Sequence, residues 1–156
     1  MSRAGYSVVT AAAVALAAAT PKSVLGIKSA ADFGLDIKGC DVGFDGVTAS
    51  AVPVELELCV CTFATNSPGT NSTSRTPAQP YGRQMAHGIT AASNWTAEPT
   101  ALTVLKEGLL TPAGGVIWYD WPEGRTYDCD LGNGFVLRCT APAIVNIRAS
   151  FDYERN

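Results

Sequence analysis

The chain has 156 residues, 47% of them hydrophobic and only 16% charged, which is enough apolar surface for one domain with a buried core and too much for a disordered chain. Its 11 Lys and Arg are scattered and outnumbered by 14 Asp and Glu, so the net charge of -3 offers no basic field to attract nucleic acid. A charged fraction below the roughly one quarter usual for soluble domains points to a surface partly covered by other subunits.

Residues 8–19, VVTAAAVALAAA, follow Arg3 and imitate a secretory signal, but they are mostly alanine with a single leucine. The run is also too short and too weakly hydrophobic to cross a bilayer, so no membrane partner is expected. It reads as a short Ala-rich helix or arm, capped at Ser7 or Thr10 and ended before Pro21. On this reading residues 1–22 are an appendage to one domain at 23–156, and residues 2–19 are dispensable for folding.

The periodicity then becomes alternating. Val24, Leu25 and Ile27 form a short strand, and Phe33, Leu35 and Ile37 alternate with Asp32, Asp36 and Lys38. At Gly39 the phase slips, because Cys40, Val42 and Phe44 take over the apolar positions; a bulge or sharp bend is expected there, with a turn at Asp45-Gly46. The run 52–63, VPVELELCVCTF, is the clearest strand, with Val52, Val54, Leu56, Leu58 and Val60 on one face and Glu55 and Glu57 on the other. Turn formers fill 65–80, TNSPGTNSTSRTPAQP, which reads as a long loop or arm reaching toward a neighbour. Pro99 favours an extended entry into 100–110, read as strand. Three further strands follow Gly-containing turns or a proline: 116–121, 135–140 and 144–154. In the last, Val145, Ile147, Ala149, Phe151 and Tyr153 share one face. Many short strands make the fold class all-β, a jelly-roll-like β-sandwich with the N-terminal helix or arm attached.

Little in the chain resembles reaction chemistry. The single His87 has no nucleophile at a recognisable spacing, and no catalytic, cofactor-binding or metal-ligating residue is assigned. Asp120, Glu123, Asp128 and Asp130 supply oxygens that a calcium or magnesium site could use, but the EF-hand spacing is missing and solvated turn acids explain them more simply. Cys40, Cys59, Cys61, Cys129 and Cys139 include no C-x-x-C pair; buried thiols are favoured over a disulfide framework, since Cys59 and Cys61 lie on one strand face. Asn71 and Asn94 open N-x-[ST] triplets, which a chain rich in Ser and Thr shows by chance. Trp118, Tyr119 and Trp121 form an aromatic cluster, read as core and subunit interface, with a sugar-stacking platform as the alternative.

The runs TAAAVALAAATPKSVLGIKSA, VGFDGVTASAVPVELEL and WTAEPTALTVL, with the ending GFVLRCTAPAIVNIRASFDYER, resemble a family of capsid decoration and minor head proteins from tailed phages of actinobacteria. The likeness spans nearly the whole chain but rests on the order of short patterns, none of them catalytic, and the cysteines are not among them. It implies a jelly-roll-like subunit, made in the host cytoplasm, that assembles as a homotrimer on the outer surface of the virion and contacts the major capsid protein. The residues expected to touch sister subunits or the lattice are Val8, Val14 and Leu16 of the N-terminal segment, Thr70, Asn71 and Arg75 of the polar loop, and Trp118, Tyr119 and Trp121. The alternative is a carbohydrate-binding adhesion module of a phage head or tail.

Overall fold

The computed structural model describes residues 4–45, 52–114 and 119–156, and within them most of the chain is strand. One sheet has seven strands: β1 (Gly5–Val9), β2 (Val14–Leu16), β4 (Leu35–Asp45), β7 (Ala78–Tyr81), β10 (Tyr119–Asp120), β11 (Tyr127–Cys129) and β13 (Val145–Arg155). They run in the order β10-β4-β13-β1-β7, with β11 also on β4 and β2 also on β13. The second sheet runs β6 (Thr73–Arg75), β8 (Thr90–Ser93), β3 (Lys22–Lys28), β12 (Gly134–Thr140), β5 (Val54–Cys61) and β9 (Leu102–Leu110). The pairs within these sheets are antiparallel, and the sheets pack against each other as the expected all-β sandwich.

Alternation decides which side chains meet between the sheets. On β13, Val145, Ile147, Ala149, Phe151 and Tyr153 face inward, and from the opposite sheet Leu25, Ile27, Leu56, Leu58, Phe135 and Leu137 meet them in one cluster. The phase slip at Gly39 is a real irregularity: Tyr153 pairs with Ile37 and Asp152 with Gly39, so Lys38 is the extra residue. That extra residue lets Ile37 and Cys40 both face the core although three positions separate them.

The six-stranded sheet is covered on its outer face as well. Cys61, Phe63, Ala92, Trp95 and Val136 form a second buried cluster there, with Leu102 at its rim. The indole of Trp95 is 1% exposed and its Nε1 donates to the carbonyl of Asn66 at 2.9 Å, so the polar loop is pinned down over the sheet. This corrects the reading of 65–80 as a long loop or arm without strands. Its residues form β6 on β8 and β7 on β1, and Asn66 and Asn71 take positive φ to turn the chain back.

The N-terminal reading is corrected too. Residues 5–9 and 14–16 are strands on β13, not a helix, and Tyr6, Val8, Val14 and Leu16 are at most 2% exposed. The ring of Tyr6 stacks on that of Tyr153, with centroids 5.4 Å apart. The segment therefore belongs to the core of the sandwich and is not an appendage to it.

The outer face of the seven-stranded sheet is polar and partly covered, with Lys38 paired to Glu154 at 3.2 Å and Arg148 to Asp45 at 3.2 Å. Partial burial, then repulsion from Asp41 and Asp120, raises the pKa of the Asp152 carboxyl. A carboxyl whose folded-state pKa lies above its unfolded one penalises the fold once it is ionised, and the penalty is absent below the ordinary carboxylate range. Asp152→Asn is therefore expected to raise the denaturant midpoint at about pH 7, by less than about 1 kcal/mol after solvent screening, and to leave it unchanged near about pH 3. An equal gain at both pH values would refute the electrostatic cause.

Candidate assembly surface

Strand register brings four separate stretches to the same end of the sandwich. Val54 lies opposite Leu110, Thr140 opposite Glu55, and Val145 opposite Leu16, while Ala18 bridges to Ala141. Segments 14–21, 52–54, 108–114 and 140–147 consequently meet there, and none of them contains an Asp, Glu, Lys or Arg, although exposed Glu55 and half-buried Lys22, whose Nζ donates to the Ala15 carbonyl at 3.1 Å, lie beside them. Three large apolar side chains stand out from this end: Val52 at 54% exposed, Leu109 at 73% and Ile144 at 73%. Around them lie exposed small or apolar residues, Ala15, Ala17, Ala18, Pro21, Pro53 and Pro142. Scattered apolar residues on a surface carry no meaning, but several large exposed ones at the same end of a fold favour contact with another protein.

The opposite end is built differently. There the connections 29–34, 62–72, 82–89 and 122–133 carry Asp32, Arg83, Glu123, Arg125, Asp128 and Asp130. The two ends of the sandwich thus differ: one exposes large apolar side chains with only Lys22 and Glu55 at its margin, and the other carries more of the charged residues.

Comparison of the chain with protein-family models, with curated proteins and with solved structures finds no match.

The residues singled out from sequence do not gather into one surface. Val8, Val14 and Leu16 lie in the core, so they cannot touch a neighbour without unfolding the sheet. Thr70 and Asn71 are exposed, on the loop that folds over the six-stranded sheet; the Asn71 carbonyl accepts from the Thr96 backbone N–H at 2.8 Å. Arg75 is half-buried and its Nε donates to Ser93 Oγ at 2.7 Å, which ties β6 to β8. Trp118 lies outside the described residues, and Tyr119 is placed only through its backbone, opposite Cys40.

Trp121 is 9% exposed, edge-on to Tyr127 at 5.3 Å, with the Lys106 ammonium 5.7 Å from its ring centroid. Its faces are spoken for, so it is no platform for stacking a sugar. Leu109 and Ile144 were not singled out, and Val52, read as part of the apolar face of strand 52–63, is instead 54% exposed ahead of β5, because the signal for this surface is not in any one segment. It arises only when register brings four uncharged stretches together.

The groups considered for chemistry sit apart. His87 is half-buried, and its Nδ1 accepts from the Ile89 backbone N–H at 3.3 Å. Among the described residues no group of three or more His, Cys, Asp and Glu side chains is placed to hold a metal ion. All five thiols are free and buried. Burial is the leading cause in each case: it pushes Cys59 and Cys129 up to about 11 and Cys40 and Cys139 higher, so thiolate is scarce at neutral pH.

Proposed function

We propose that this protein is a structural subunit of a virion, decorating and stabilising the outer surface of a tailed-phage capsid as a closed oligomer, most simply a trimer. The observation that carries this reading is the end of the sandwich where Val52, Leu109 and Ile144 stand exposed among alanines and prolines. Surfaces of that kind are costly for a free monomer and useful to a subunit, because contact with sister copies removes them from water. Likeness of several sequence runs to phage decoration proteins supports the same reading, as does a sandwich whose buried side chains are committed to packing. The major capsid protein is the partner on the shell, and the charged end is the one left facing solvent.

The test begins with the free protein. Light scattering and native mass spectrometry should find a closed oligomer at micromolar concentration, and a reconstruction of purified virions should find it on the capsid exterior. Leu109→Glu and Ile144→Glu should each shift the oligomer toward monomer by at least about tenfold in dissociation constant, because burying an unpaired carboxylate costs well over about 1.4 kcal/mol. Both side chains are exposed, so the dissociated variants should keep a native far-UV circular dichroism spectrum, with a melting temperature lowered only by the loss of association. A wild-type protein that is monomeric both in solution and on the virion would overturn the proposal.

A further inference from the structure

The outermost strand of a sheet offers a row of backbone N–H and C=O groups on which a strand of another chain can pair. Among the described residues three of the four sheet edges end in short strands: β6 has three residues, β10 two, and β7 four, among them Pro80, which has no N–H to give. β9 is different. It runs nine residues, Leu102–Leu110, and β5 is the one described strand it pairs with. We propose that β9 is a guarded edge, in which a bulge and two charges at its centre keep it from pairing with the β9 of a second copy. The inference needs neither the capsid nor the oligomer, because a free subunit must be protected there as well.

The bulge comes from register. Leu58 lies opposite Lys106 and Cys59 opposite Val104, so Leu105 is the extra residue, and its side chain packs against the core cluster. An insertion of this kind bends the strand and interrupts the row of groups it presents.

The charges flank that bulge, one on each face. Lys106 shares the inner face with Leu58, and its ammonium lies 5.7 Å from the centroid of the Trp121 ring. A strand added beside β9 would close over this ammonium and take it from water, which is costly. Glu107 is exposed on the outer face opposite Glu57, whose carboxylate is held by Arg138 at 2.6 Å. Symmetry multiplies both effects. In a twofold antiparallel pair of β9 strands, opposite residues point to the same face, so a register centred on Lys106 or Glu107 sets two like charges face to face. Centring it one residue to either side leaves Lys106 or Glu107 a diagonal neighbour of its own copy, within about 7–8 Å. The registers that pair most of the strand are therefore the ones penalised.

The experiment removes the guard from the full chain. Lys106→Val, Glu107→Thr and the double variant are compared with wild type by light scattering over a concentration series, by thermal melting, and by amide hydrogen exchange across residues 102–110. The double variant is expected to melt cooperatively and to associate at a concentration at least about tenfold below any at which wild type makes the same contact, with β9 amides slowed at least about tenfold on association. In the Ile144→Glu background, where the assembly end is disabled, the new contact should give a dimer and nothing larger, since it uses the one long edge of each copy. A wild-type chain found to be monomeric would remove the assembly end and leave this monomer-to-dimer step as the expected result. Glu107→Thr alters an exposed site and carries the same expectation on its own if Lys106→Val fails to fold. Folded variants that associate no more than wild type would overturn the proposal. So would association in which the β9 amides exchange as fast as before, because side-chain stickiness and not strand pairing would then be the cause.

Discussion

Deleting residues 2–19 is expected to leave no folded protein. β1 and β2 lie along β13, and the truncation removes Tyr6, Val8, Val14 and Leu16 from the core in one step. Truncating one such side chain costs about 2–5 kcal/mol, while the whole stability of a domain is only about 5–15 kcal/mol. The deletion also bares one side of β13, whose backbone groups then have no strand partner over half their length. Far-UV circular dichroism and a thermal melt should show an aggregated or unfolded chain, whereas Val8→Ala alone should melt cooperatively at a lower temperature. A truncated protein with a native spectrum and a sharp transition would show that the segment contributes nothing to the core.

Trp95→Ala should be the most damaging single substitution outside the space between the sheets, at about 3–5 kcal/mol. Its indole fills the second cluster against Phe63 and Val136, and the six-membered part of the ring lies on Gly26, where a Cβ would meet it at 2.8 Å. The variant loses this packing and also the bond to the Asn66 carbonyl that holds the loop. Trp95→Phe keeps most of the ring and forfeits the hydrogen bond, so its loss should be smaller. Proteolysis of the native variants is the informative comparison: Trp95→Ala should expose the 62–72 segment to cleavage before global unfolding, and Trp95→Phe much less so. Equal protection in both would mean that the loop is held by something other than the indole.

Those two expectations mark where sequence was a good guide and where it was not. β5 and β13 were legible because both alternate apolar and polar residues over eight or more positions, and the slip at Gly39 was legible as a break in that alternation. The N-terminal segment has the same period in miniature: Tyr6 and Val8 face in, Ser7 and Val9 out, then Val14 and Leu16 in with Ala15 out. Each run is only a few residues long and is set among alanines, whose helix preference dominates a local reading. Pairing with β13 overrides that preference, and no local pattern announces the pairing. The polar loop failed for a related reason, since Ser, Thr, Asn and Pro conceal two short strands and the apolar anchor, Trp95, lies more than twenty residues further along. The assembly end was illegible in principle, because its parts are far apart in the chain and each is unremarkable alone.

The position of β13 has a consequence for how the molecule comes into being. It pairs with β1, β2 and β4, so residues near 150 must find residues near 8, 15 and 40 before the seven-stranded sheet exists. Loop closure over such separations must precede any contact energy, which places folding among the slow, non-local β topologies, on a scale of about milliseconds to seconds. Until then Val8, Val14, Leu16 and the inner face of β4 are bare, and during synthesis they wait for the last strand they need to leave the ribosome. A chain made in many copies would be most prone to aggregate in that interval, and conditions that slow elongation near its end would lengthen it.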